Sequence, residues 1–121
     1  MAVVWENKAH QTATRSDLTD VATKLQELFG QKVTAAIAGV SDSRAVGKWA
    51  RGERVPHPET AQRLREAMLI ANLLLEEEPP AIVRAWFVGL NPNLDDRVPA
   101  LVIGEEPGEV MRAARSFLAT G

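Results

Sequence analysis

Residues 39–52 read GVSDSRAVGKWARG and carry three cations, Arg44, Lys48 and Arg51, spaced four and three apart. On a helix those intervals set all three side chains on one face, with Gly47 beside them. A cationic row of this kind suits phosphate oxygens, whose charge pairs with ammonium and guanidinium groups. Arg54, just beyond the helix, adds one more cation. The plain alternative is a solvated amphipathic face, which is what most charged stripes are.

Other chemistries fit poorly. A phosphate-binding loop needs a closer pair of glycines and a Ser or Thr after the Lys, and here Trp49 follows Lys48. His10 and His57 stand alone, with no partner at metal-ligand spacing, so neither a metal nor a cofactor is expected. The acids of EEE at 76–78 and DD at 95–96 are sequence neighbours in a helix end or loop and do not converge on a substrate. An enzyme is not expected.

The elements that must carry the stripe are helical. The 121 residues are 45% hydrophobic, enough for one domain or two small helical units sharing a core. There are no cysteines, hence no disulfide framework. No secretory leader or membrane-spanning run stands out, so the expected compartment is the cytoplasm. The net charge of −2 hides an uneven distribution: residues 41–72 sum to +2 and residues 73–121 to −4. A basic middle and an acidic end suit different partners.

Residues 1–16 show no helix or strand period and read as a flexible arm, either disordered or docking elsewhere through Val3, Val4 and Trp5. From Asp17, the residues Leu18, Val21, Ala22, Leu25, Leu28 and Phe29 recur at helical intervals, and Gly30 ends that helix. QKVTAAIAG follows as a short second helix with Val33, Ala36 and Ile37 inward. Ser41 or Asp42 caps a third helix, about 42–51, whose inner face is Val46, Trp49 and Ala50. Pro58 opens a fourth, about 58–77, with Ala61, Leu64, Ala67, Met68, Ala71 and Leu75 in one stripe. Leu69, Ile70, Leu73 and Leu74 widen that stripe, as expected of a central helix. A fifth helix, about 80–90, points Ile82, Val83, Trp86, Phe87 and Leu90 inward. NPNLDDRVP interrupts regular structure, Leu101–Ile103 suit a short turn, and a last helix buries Val110, Met111, Ala114, Phe117 and Leu118.

A short helix, a glycine turn and a helix with an outward cationic stripe make the layout of a helix-turn-helix unit. Its second helix enters the DNA major groove, with cations on phosphates and a few residues at base edges. Gly47 suits that role, because a missing side chain lets the helix backbone approach the groove, at about 1 kcal/mol of helix propensity. The candidate DNA-binding residues are Ser43, Arg44, Gly47, Lys48, Arg51 and Arg54.

Gly39, Val40, Ser41, Val46, Trp49 and Gly52 together resemble the Xre-type helix-turn-helix family, although Gly39 to Val46 is one residue longer than the common form. Farther on, Trp86, Asn91, Pro92, Leu94, Arg97, Pro99, Leu101, Gly104, Val110, Ala113, Ala114 and Phe117 resemble the toxin-binding domain of Xre/MbcA/ParS-type antitoxins. Asp95 and Asp96 stand where that family commonly has glycine, and Leu90 where it commonly has proline.

The resemblance implies an all-α protein with a flexible arm (1–16), an Xre-like helix-turn-helix bundle (17–78) and, packed on it through the long central helix, a small helical toxin-binding domain (79–121). It implies an antitoxin that covers the active site of a RES-domain toxin consuming NAD⁺, and that binds its own promoter. Operator DNA, the cognate toxin and a second copy of the chain, within a larger toxin–antitoxin complex, are the expected partners. Arg97, Arg112 and Arg115 are the candidate toxin-binding residues, since interfaces favour arginine. Two other readings stay open: a stand-alone transcriptional regulator whose second half dimerises or binds another ligand, and an Xre-like domain used only for protein contact.

Overall fold

A computed structural model describes residues 17–120; the expected arm at 1–16 lies outside the described residues, as does Gly121. The protein is all-α. Seven α-helices and one 3-10 turn, with no strand, make up the described residues.

Helix α1 runs over 17–29 and buries Leu18, Val21, Ala22, Leu25 and Phe29, the face its periodicity predicts. Helix α2, Gln31–Ala38, follows with only Gly30 between. Its inner face is Thr34, Ala35, Ile37 and Ala38, and Ala36 is exposed, contrary to expectation. Thr34 is buried because its hydroxyl donates to the Leu25 carbonyl (3.2 Å) and is satisfied inside the core. Helix α3 is Arg44–Ala50 and α4 is Pro58–Leu75. Then come α5, Pro80–Val88; the 3-10 turn, Pro92–Leu94; α6, Pro99–Val102; and α7, Pro107–Thr120. Pro58, Pro80, Pro99 and Pro107 each open a helix, where a missing N–H and a preset φ cost little.

Helix α4 packs against α2 on one side and against α5 and α7 on the other. It is therefore a shared wall. One continuous buried cluster runs from Val21, Leu25 and Trp49 through Leu64, Ile70 and Leu74 to Phe87, Ile103 and Val110. Phe29 and Phe87 meet across it with ring centroids 4.8 Å apart, so residues from both ends of the chain share one core. A second tie is Arg63, whose guanidinium lies in a slot between Gly39 and Gly104. A Cβ on Gly39 would come within 2.2 Å of its Nη1, and one on Gly104 within 2.5 Å of its Cζ. Besides Ala36, three residues expected inward are exposed: Leu69 on α4, Ile82 on α5, and Leu90 just after α5, which is 72% exposed. A helix of nine residues buries one narrow face, here Val83 and Phe87, and Ile82 and Val88 on its other sides stay exposed.

Candidate nucleic-acid interface

The stripe is built by the turn before it and the turn after it. Gly39 ends α2 at φ +75°, the left-handed region that a residue with a side chain enters at a cost. There the Val40 N–H donates to the Ala35 carbonyl (3.1 Å) and the Gly39 N–H to the Ala36 carbonyl (3.2 Å), closing the helix with both orphan acceptors satisfied. Helix α3 starts at Arg44, two residues later than expected; Ser43 precedes it without a side-chain cap bond, and Asp42 Oδ1 accepts the Arg44 N–H at 3.0 Å. Val46 and Trp49 are buried beneath, the floor the sequence predicts. The Thr23 hydroxyl lies 3.3 Å from the Ala50 carbonyl, which ties the end of α3 to α1. At that end the Glu53 N–H donates to the Lys48 carbonyl (2.9 Å) and the Gly52 N–H to the Trp49 carbonyl (3.1 Å).

Arg44, Lys48 and Arg51 stand exposed along one face. Each arginine is paired with an acid two residues away. Arg44 donates from Nε to Asp42 Oδ1 (3.0 Å) and from Nη2 to Oδ2 (3.1 Å). Arg51 donates from Nε to Glu53 Oε1 (3.0 Å) and from Nη2 to Oε2 (3.1 Å). Hydrogen bonds from these guanidinium groups hold the Asp42 and Glu53 carboxyls below the usual carboxylate range, and the charge of Lys48 between them lowers both further. Since the folded values are depressed, both pairs are intact at neutral pH and are lost only as pH falls through those lowered values. Among the described residues Lys48 has no ion pair of its own.

The remaining candidates sit differently. Ser43 is half-buried, with helical φ and ψ and no side-chain cap bond. Gly47 is buried: a Cβ there would lie 2.9 Å from both Arg51 Nη1 and Gln31 Nε2. The open glycine backbone expected on the stripe is thus covered by the ends of two long side chains. Arg54 is exposed but off the stripe, lining a cleft of about 210 Å³ with Val40, Ala45, Trp49 and Thr60. Sequence reasoning missed the two bracing acids, although each lies two residues from its arginine at a helix end.

In the second half, Asn91 is buried and its side-chain oxygen accepts the Asn93 N–H at 2.9 Å, which holds the start of the turn. Asp95 and Asp96 both have left-handed φ, +56° and +61°, which explains why glycine suits these places. Arg97 is engaged within the fold. Its Nε donates to the Leu94 carbonyl (2.8 Å), its Nη1 pairs with Glu106, and its own carbonyl accepts the Asn91 N–H (3.1 Å). Arg112 pairs with Glu109 one turn back on α7, and Arg115 is exposed on the same helix. The three arginines do not converge on one point that the structure identifies as a site.

No family model, no curated protein and no solved structure matches this chain. Among the described residues no helix is long and apolar enough to cross a membrane.

Proposed function

We propose that the chain is the antitoxin of a type II toxin–antitoxin pair, in which α3 binds operator DNA and the part from α5 to α7 covers a RES-fold toxin that consumes NAD⁺. The observation that carries the DNA half is the outward row Arg44–Lys48–Arg51, set on a short helix over the Trp49 floor and preceded by α2 and its glycine turn. The toxin half rests on the sequence resemblance. The 3-10 turn at Pro92–Leu94, the left-handed aspartates and the helix opening at Pro99 agree with it, since each falls where that pattern has Asn-Pro, glycine or proline. A homodimer follows from the DNA half, because one such unit reads only a half-site.

Two measurements test this reading. Replacing Arg44, Lys48 and Arg51 together with Ala should weaken binding to the promoter upstream of the gene. It should also flatten the salt dependence by roughly 0.9 in the log–log slope, per subunit, for each phosphate that no longer has its cation. An unchanged slope in the folded triple variant rejects α3 as the DNA-contacting helix. For the toxin half, Arg112→Glu with Arg115→Glu adds like-charge repulsion at a partner-facing patch and should reduce inhibition of NAD⁺ consumption by the toxin encoded beside this gene. Ending the chain at Gly104 should abolish inhibition, with circular dichroism as the folding control because α7 supplies the buried Val110, Ala113 and Ala114. Full inhibition by the folded double variant removes these arginines from the interface.

One observation favours the stand-alone regulator as second reading. Ile82, Val88 and Leu90 are exposed apolar side chains on and just after α5, which a second copy of the chain would cover without any toxin. Promoter binding with no effect on the toxin selects that reading.

A further inference from the structure

Helix α3 shows more than a cationic row, because the two arginines are aimed. Asp42 Oδ1 accepts both the backbone N–H and the Nε–H of Arg44, each at 3.0 Å, while Oδ2 takes Nη2 at 3.1 Å. One carboxylate therefore fixes the start of the helix and the direction of the side chain together. The grip uses the Nε side of the guanidinium. Among the described residues Nη1 and the outer N–H of Nη2 have no partner, and they lie side by side on a side chain that is 84% exposed. That free edge is a pair of parallel donors projecting from the first residue of the helix.

We propose that Asp42 is a positioning residue that presents the free edge of Arg44 to a guanine in the DNA major groove, while Lys48 and Arg51 hold the backbone alongside. The proposal rests on the DNA-binding reading above and adds the base it recognises. Two parallel donors need two neighbouring acceptors. Guanine offers O6 and N7 on its groove edge, whereas adenine offers one acceptor beside a donor, and thymine one acceptor beside a methyl group. The residues of a recognition helix that reach base edges are those near its N-terminus, which is where Arg44 stands. From Arg44 to Arg51 the helix rises roughly 10 Å, about three base-pair steps, so the later cations fall over neighbouring phosphates. A free arginine would lose much rotamer freedom on binding, and the Asp42 brace has already removed it. B-form DNA is the partner that fits, because the major groove of duplex RNA is too deep and narrow for a helix to read.

The test is selection from a randomised DNA duplex library by the full chain, followed by affinity measurements on the selected duplex and on versions with each guanine replaced. Wild type should select a site with a fixed guanine and lose roughly 5- to 150-fold when that base is changed. Arg44→Lys keeps the charge, so it should keep the salt slope and lose the guanine preference. Asp42→Asn separates bracing from simple charge masking, because the two predict opposite signs. Removing an acid near DNA should raise affinity for random sequence, whereas loss of the brace should lower the preference for guanine. Asp42→Glu keeps the charge at the wrong reach and should lose the preference too, with thermal melting confirming that α3 still forms in each variant. Full guanine preference in folded Asp42→Asn overturns the proposal and leaves DNA binding standing, as does a selected site with no guanine that responds to Arg44. Failure of wild type to retain any duplex at low salt overturns the DNA reading and this proposal together, and preference for duplex RNA of the same sequence overturns the groove assignment.

Discussion

Helix α3 and the 91–97 turn both set an arginine against an acid, yet they use the pair in opposite ways. On α3, Arg44 and Asp42 are two residues apart and the cation stands almost wholly in solvent. The pair ties no distant parts of the chain together and only gives the side chain a direction. In the turn, Arg97 reaches Glu106 nine residues away, binds the Leu94 carbonyl as well, and has its own backbone in the bridge to Asn91. That pair locks the path of the chain. Sequence separation and backbone partners, rather than the chemistry of the ion pair, decide whether an arginine is offered to a partner or used by the fold.

Three tests break or sharpen this contrast. The largest effect is expected under α3. Trp49 is buried in the cluster that reaches Phe87 and Val110, so Trp49→Ala should destabilise the protein by about 3–5 kcal/mol, read from denaturant unfolding. Because the core is continuous, the loss should appear as one cooperative transition. A DNA-binding defect with unchanged unfolding would instead move Trp49 to the DNA surface. The next effect belongs to the turn. Asp95 holds φ +56°, where a β-branched residue is strained, so Asp95→Val should cost about 1–2 kcal/mol. Asp95→Gly should match or slightly exceed wild type, since glycine relieves the strain and loses more chain entropy on folding. Equal stability of the Val and Gly variants would show that the left-handed turn imposes nothing. The smallest and most direct comparison sets Arg97→Met beside Arg44→Met, each keeping an unbranched stem. Arg97→Met should lower the melting temperature, and Arg44→Met should leave it unchanged. Equal melting temperatures for the two variants would erase the distinction between a locking and an aimed arginine.

Much of the candidate interface was legible because its determinants are local. Helical periodicity placed Val46 and Trp49 inward and Arg44, Lys48 and Arg51 outward, and the glycines marked the turns. The bracing acids were missed because charge was summed over segments, whereas an acid at a helix end acts through its own neighbours two residues away. Gly47 read as an open gap in the stripe. It is filled by Gln31, whose reach depends on how α2 crosses α3, and no spacing within α3 records that crossing.

The sequence by itself determined where helices start and stop to within about two residues, and which residues of α1, α4 and α7 form an apolar stripe. Proline at the first helical position, glycine after the last and a repeat near 3.6 residues are properties of one segment and its own backbone. Only the tertiary structure decided how wide each buried face is. Leu69, Ile82 and Leu90 are as apolar as the buried Ile70, Val83 and Leu94, and they are exposed because no other element among the described residues packs over them. The slot that holds Arg63 between Gly39 and Gly104 joins residues far apart in the chain, and it exists only once α2, α4 and the end of α6 have packed. A helix can specify its own apolar side, but burial needs a neighbour to exclude water, and that neighbour is supplied by the rest of the fold.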